Sequence, residues 1–245
     1  MLRLTLEYDG RGFCGWASQP NQRTVEGVLR DALVTLVHHP VRITVAGRTD
    51  AGVHATGQVA SVPVATTLSA ERVQRGLAAL LPHDVAARRV VDAPPGFDAR
   101  ADALARRYEY RFLVGPDSPL RRERVFPVRR ALDRAAMREA CAILVGQHDF
   151  TAFTPTRTEH VFFARTLTLC ELHEREDEVV LVVEADAFLR GMVRTLAGTL
   201  LEVGFGRRPV ESVRALLNGA PRAAAGPTVP AHALTLVGVR YGIDG

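Results

Sequence analysis

An α+β chain of two ferredoxin-like halves is what this sequence predicts, each half running β-α-β-β-α-β. Three observations lead there. Strands of period two alternate with helices of period 3.6, the same order of elements occurs twice, and a Pro94-Pro95-Gly96 turn separates the two occurrences. The halves share element order rather than residues.

In the first half Leu2, Leu4, Leu6 and Tyr8 alternate as a strand, and the glycine-rich run DGRGFCGW follows as a loop. Val25, Val28, Leu29, Ala32, Leu33 and Leu36 recur at helical spacing behind Thr24, a suitable N-cap. Strands are expected over residues 42–47 and 57–64, a helix over 69–81 stopped by Pro82, and a strand over 84–91. The second half is expected to run strand 104–114, helix 132–145, strands 161–173 and 178–186, helix 189–203, a short helix near 210–217, and a closing strand 232–241. Domains of residues 1–103 and 104–245 follow, with a cleft between them as the place for a ligand.

Composition narrows the class. Hydrophobic residues make up 47% of 245, as in ordinary globular proteins. No apolar run approaches a membrane span, and MLRLTLEYDG carries acidic residues too early for a signal peptide, so a soluble cytoplasmic chain is expected. Cys14, Cys141 and Cys170 are odd in number and far apart, which fits a reducing compartment and neither a disulfide framework nor a zinc pattern. All 31 basic residues are arginine, and the formal net charge is +4. Guanidinium groups grip phosphate bidentately and stack on bases, so this surface suits nucleic acid without demanding it.

The stretch VAGRTDAGVHA, residues 45–55, is the densest in chemistry. Arg48 and Asp50 stand where a short apolar run gives way to a turn flanked by Gly47 and Gly52. A lone aspartate beside glycine ordinarily satisfies backbone amides. Here Arg48 places positive charge nearby, and the glycines let a ligand approach. A carboxylate among cations stays ionised at neutral pH, as a nucleophile must. Phosphate cradling fits less well, because the carboxylate would repel the anion.

Two further segments stand out. In LARRYEYRFLV, Leu104, Arg106, Tyr108, Tyr110, Phe112 and Val114 share one strand face, and Arg107, Glu109 and Arg111 the other. A tyrosine at a cleft edge could stack on a base, and periodicity does not choose between Tyr108 and Tyr110. In FLRGMVRTLAGTLLEVG the apolar stripe reads as core. Arg190 and Arg194 lie four apart on a neighbouring stripe beside Gly191 and Gly198, as at a phosphate or a buried carboxylate. The histidines, including the adjacent His38-His39 and His83, His148, His160 and His173, have no metal-ligand spacing. Nucleophile-elbow, GxGxxG and P-loop patterns are absent.

Together these segments resemble the TruA family of tRNA pseudouridine synthases. YDGRGFCGW is similar to its first strand-loop, AGRTDAGVHA to its catalytic loop, ARRYEYRF to its tyrosine strand, and GQHDFTAF to a mid-domain signature. FLRGMVRTLAGTLLEVG resembles its arginine helix, and GPTVPAHALTL its C-terminal stretch. The six matches fall in the family's order along nearly the whole chain, and GRTDAGVH is the most specific of them. The resemblance implies the pseudouridine synthase fold with a central cleft, and isomerisation of uridine to pseudouridine at positions 38, 39 and 40 of the tRNA anticodon arm. It implies a homodimer that grips tRNA and uses no metal or organic cofactor. Asp50 matches the nucleophile, Tyr108 the residue that stacks on the target base, and Arg194 the arginine that pairs with the aspartate. Arg48 matches a residue implicated in extruding the base, and Arg190 and His54 are grouped with it as substrate contacts. Ala17 and Ala233 depart from the family's usual glutamine and glycine, and TRTEHVFFARTL is less typical than its surroundings. A non-catalytic RNA-binding module shares the split βαβ order but would carry aromatic RNP-type strands, which are not seen. Another base-modifying enzyme, or a synthase acting on a different RNA, is the second rival.

Overall fold

The computed structural model describes residues 1–158 and 161–242, and His160, one of the histidines without ligand spacing, lies outside them. The chain forms two compact units, Met1–Arg106 with Thr235–Gly245, and Arg107–Leu234. In the first unit β1 (Leu2–Tyr8) leads to α1 (Val25–Val37), β2 (Thr44–Val45), β3 (His54–Val62), α2 (Ala70–Leu80) and β4 (Val85–Asp92). Strand β1 runs antiparallel to both β3 and β4, with Leu4 opposite Ala60 and Val90, and β2 runs antiparallel to β3. The order β4-β1-β3-β2 is that of a split βαβ sheet. Leu2, Leu4, Leu6 and Tyr8 are all buried, as their period-two spacing requires. Thr24 caps α1 through a hydrogen bond from the Gly27 amide at 3.2 Å, and Ser69 caps α2 in the same way.

Strand β5 (Ala103–Leu113) carries the chain into the second unit, followed by β6 (Phe126–Pro127), α3 (Arg134–Leu144), β7 (Gly146–Asp149), β8 (Ala164–Arg175), β9 (Glu178–Ala185), α4 (Met192–Gly204) and the short α5 (Ser212–Ala215). The order β5-β9-β8-β7 places β9 in the middle, and all eight of its residues are buried. Eleven of the thirteen residues of α4 are buried too, so this helix is core on nearly every side. On β5 the alternation holds from Arg106 to Phe112. The outward charges are matched from β9, Arg107 with Glu184 and Arg111 with Glu178, and from the end of β8, Glu109 with Arg175.

The closing strand, β10 (Leu234–Tyr241), belongs with the first unit. Thr235 and Leu236 pair in parallel with His54 and Ala55, at the start of β3. The Tyr241 hydroxyl donates to the Ala99 carbonyl at 2.7 Å, and its ring packs on Phe97 at 5.2 Å.

Several expected boundaries move, each for a local reason. Strand β3 begins at His54 rather than residue 57. Gly57 lies inside the strand, where β10 passes close, since a Cβ there would stand 2.3 Å from the Val237 carbonyl oxygen. Helix α4 starts at Met192 because Gly191 adopts a left-handed φ of +68°. Arg190 therefore precedes the helix and does not share a helical stripe with Arg194. The strand expected over 42–47 shortens to Thr44–Val45, and the one over 161–173 starts at Ala164. Leu104, assigned to the inward face of its strand, is exposed. Strand β7 went unseen because GQHD is polar throughout and offers no apolar alternation.

Candidate active site

Loop 46–53 carries Asp50 between β2 and β3, and side chains from three other parts of the first unit hold it by its backbone. At its root the Arg106 guanidinium, 8% exposed, donates to the Ala46 carbonyl through Nε at 3.0 Å and through a terminal nitrogen at 2.7 Å. The same group reaches the carbonyls of Ala103 at 3.0 Å and Arg100 at 2.8 Å. One residue on, the Gln58 amide donates to the Gly47 carbonyl at 2.8 Å. At Thr49 the hydroxyl meets the Tyr8 hydroxyl at 2.8 Å, and the backbone carbonyl accepts from the Trp16 amide at 3.0 Å. The Gln58 amide also donates to the Tyr8 hydroxyl at 3.2 Å, closing a buried network.

The chain turns back directly after Asp50. The Val53 amide bonds the Asp50 carbonyl at 3.2 Å, and Gly52 takes φ +80° in the third position of that turn, which a side chain would strain. The next contact excludes any side chain at Gly10, where a Cβ would sit 2.0 Å from the Val53 carbonyl oxygen. Asp50 itself is half-buried at the head of the turn, one residue beyond the clamped Thr49.

His54 is 1% exposed, accepts from the Gly10 amide at 3.2 Å through Nδ1, and lies 3.3 Å from an Asp9 carboxylate oxygen. This residue, expected as a substrate contact, is buried behind the loop. Arg11 grips Asp9 with both ends of its guanidinium and holds that carboxyl down at about 2. Arg48 is exposed and makes no ion pair with a described residue, so the local cation expected beside Asp50 faces outward instead.

In the second unit, Tyr108 is 7% exposed and packs edge-on against Phe188, the ring centres 5.1 Å apart. Tyr110 is sealed in the core. Its hydroxyl donates to the Pro230 carbonyl at 3.1 Å, and burial raises its pKa against the opposing pull of the Arg194 charge. Arg194, on the first turn of α4, donates from Nε to the Val229 carbonyl at 2.7 Å, and the Val229 amide returns a longer bond to the Arg194 carbonyl at 3.4 Å. That reciprocal pair fixes the direction of the guanidinium. Gly198, expected to admit a ligand, instead admits the chain itself, since a Cβ there would stand 1.8 Å from the Pro227 carbonyl oxygen. Arg190 is exposed, and its carbonyl accepts from the buried Thr154 hydroxyl at 3.1 Å.

Sequence reasoning missed the framing residues Tyr8, Gln58 and Arg106. One signal was visible: an arginine at an inward position of an aromatic strand face must find partners or destabilise the core. Among the described residues no group of three or more His, Cys, Asp or Glu side chains could hold a metal, and no helix is long and apolar enough to cross a membrane.

The first unit thus holds a carboxylate on a clamped turn, and the second holds an arginine directed by a backbone carbonyl. A family model described as tRNA pseudouridine synthase matches residues 5–101 and 140–242. A tRNA pseudouridine synthase A of Frankia casuarinae is 48% identical over 99% of this chain and 90% of its own length. One from Thermus thermophilus is 44% identical over 98% of this chain and 96% of its own, and one from Citrifermentans bemidjiense 40% over 98% and 97%. The chain belongs to the tRNA pseudouridine synthase family, and its fold is the α+β pseudouridine synthase fold. A solved Cbf5-Nop10-Gar1 complex aligns loosely, at 13% identity and a TM-score of 0.32 over 82% of this chain and 54% of that one, too distant to bear on the site.

The Tyr8 network yields a stability prediction with a definite sign. Burial pushes the Tyr8 hydroxyl up to about 12 from 10.0. Its contribution to stability is therefore complete below pH 10 and is lost as pH rises towards 12. Tyr8→Phe removes the partner of the Thr49 hydroxyl and one of the two acceptors of the Gln58 amide, which keeps the Gly47 carbonyl, at a cost of about 1–3 kcal/mol in denaturant melts at pH 7. Between pH 10 and 12 the wild type should lose stability faster than the variant by up to about 1.4 kcal/mol per pH unit. Parallel curves would show that Tyr8 ionises as easily in the folded state as in the unfolded one.

Proposed function

We propose that this chain converts uridine to pseudouridine in the anticodon arm of tRNA, at positions 38, 39 and 40, with Asp50 as nucleophile. The observation that carries the reading is the GRTDAGVH loop of a chain that belongs to this family, with Asp50 next to a residue clamped by Tyr8 and Trp16. The reaction cleaves the bond from N1 of uracil to C1′ of ribose, turns the ring and rejoins it through C5. The hydrogen on C5 leaves and N1 regains one, so the substrate is neither oxidised nor reduced.

A uridine in a stacked stem hides its glycosidic bond, so it is flipped out at a cost of about a few kcal/mol. Arg48, exposed beside Asp50, is assigned to filling the vacated place, and Arg190 to holding a neighbouring phosphate. Asp50 attacks C1′ or C6, or assists a glycal route, and in each case must be ionised and held still. Arg194 is assigned the counter-charge, its direction set by Val229. Tyr108 is assigned to stacking on the detached uracil. The resemblance further supports a cytoplasmic homodimer around tRNA.

Tritium release from transcribed tRNA labelled at uridine C5 tests the reaction. Release by wild type but not by Asp50→Asn is expected, whereas release by both would remove Asp50 from its role. Arg194→Ala should lower the single-turnover rate by at least about tenfold, roughly the worth of one lost charge-assisted contact, while tRNA affinity changes little. A large loss of affinity with a normal single-turnover rate would instead make Arg194 a binding residue. Sedimentation equilibrium of the purified chain should give twice the monomer mass, and a monomer that isomerises tRNA at full rate would dismiss the dimer.

A further inference from the structure

Two arginines at one end of α4 are placed in a way that the chemistry at Asp50 does not use. Phe205 caps the C-terminus of α4, and the guanidinium carbons of Arg130 and Arg207 each lie 5.3 Å from the centre of its ring. Cation–π attraction and the negative end of the helix help to hold them there. Neither arginine makes an ion pair with a described residue. The carboxylates nearby are occupied: Asp117 with Arg129 at 2.8 Å, Glu174 with Arg134 and Arg138, and Glu202 with Arg208 at 2.9 Å. Asp133 accepts from the Ala136 amide at 2.9 Å as the N-cap of α3.

The surroundings extend this positive surface. The Asp133 amide bonds the Gly204 carbonyl at 2.8 Å, which seats the start of α3 on the end of α4. Beside that junction runs a cleft of about 340 Å³ lined by Val114, Gly115, Arg129, Arg130 and Arg134. Arg129, Arg134, Arg138 and Arg208 each pair with a carboxylate, whereas Arg130 and Arg207 do not pair with one among the described residues. Two cations near a single ring raise the local positive potential, and the planar fork of each guanidinium matches a phosphate.

We propose that Arg130 and Arg207, with the arginine-lined cleft beside them, form a docking surface for the phosphate backbone of tRNA away from the reacting nucleotide. The inference rests on the proposed function, which supplies the RNA. Guanidiniums directed at phosphates contact backbone rather than sequence. Arg194 lies eleven residues back along α4, about 16 Å by helix geometry. The two ends of one helix thus address different parts of one substrate.

The test uses the full chain with Arg130 and Arg207 both changed to Gln, and unmodified tRNA transcript in filter binding from roughly 50 to 200 mM salt. The variant should bind tRNA several-fold more weakly, with a log–log salt slope shallower by about 1 to 2. In steady state the loss should fall on KM. Unchanged affinity and slope would overturn the proposal. If the double variant does not fold by circular dichroism, Arg207→Gln alone should show about half the change in slope. Inorganic phosphate that raises the Tm of wild type but not of the variant, with tRNA affinity equal in both, would assign a small-anion site and also overturn it. Wild-type tritium release separates the two claims. A wild type that binds tRNA without releasing tritium defeats the proposed function, whereas a variant that matches an active wild type defeats only this surface.

Discussion

The first unit is organised around the need to keep one short loop from moving. Residues 46–53 have little secondary structure of their own, and their polar backbone groups would otherwise be satisfied by water in several ways. Instead Ala46, Gly47 and Thr49 are each tied to a side chain, by Arg106, Gln58 and Tyr8 in turn. These ties span the unit, because Tyr8 closes β1, Gln58 lies on β3 and Arg106 on β5. The nucleophile proposed for Asp50 would gain from such a frame, since reorganisation at the moment of reaction is costly. The close approach of Gly10 to Val53 belongs to the same frame, bringing the loop after β1 against the far side of the Asp50 turn.

Arginine does three different jobs in this lysine-free chain, and the partner decides which. Facing carbonyls, as Arg106 does in the core and Arg194 does at Val229, the guanidinium acts as a rigid multi-donor fastener that fixes backbone in place. Facing carboxylates, as along the outer face of β5, it supplies cross-strand pairs. The Glu178 carboxylate, 3% exposed, is shared by Arg111 at 2.7 Å and Arg121 at 3.0 Å, so its burial does not leave a lone charge. Facing solvent, as at Arg48, Arg130 and Arg207, it is available to phosphate.

How much of this was legible in the sequence depended on whether the signal was local. The period-two run of β1, the caps of α1 and α2, and the aromatic face of β5 depend on neighbours along the chain, and they stand where expected. The Asp50 loop was equally legible, because glycines around a charged pair make an unusual local string. The frame behind it was not, since Tyr8, Gln58 and Arg106 meet the loop only after the sheet has formed, across separations of 41, 11 and 60 residues. His54 shows the same limit in reverse. Its position in the motif suggested a substrate contact, and only the fold reveals that β10 and the Gly10 loop enclose it.

The contrast between clamped and exposed groups also explains why one chain can be both exact in chemistry and tolerant in binding. Internal ties such as Tyr8 to Thr49, and Arg106 to Ala46, lie out of water and are little affected by salt. They hold the loop that carries Asp50. The exposed arginines act through long-range, screened attraction to phosphates that every tRNA carries. Specificity for a particular uridine then cannot come from the arginines alone. On the function proposed above, it arises where the flipped base enters a site whose shape the buried ties around residues 46–53 keep fixed.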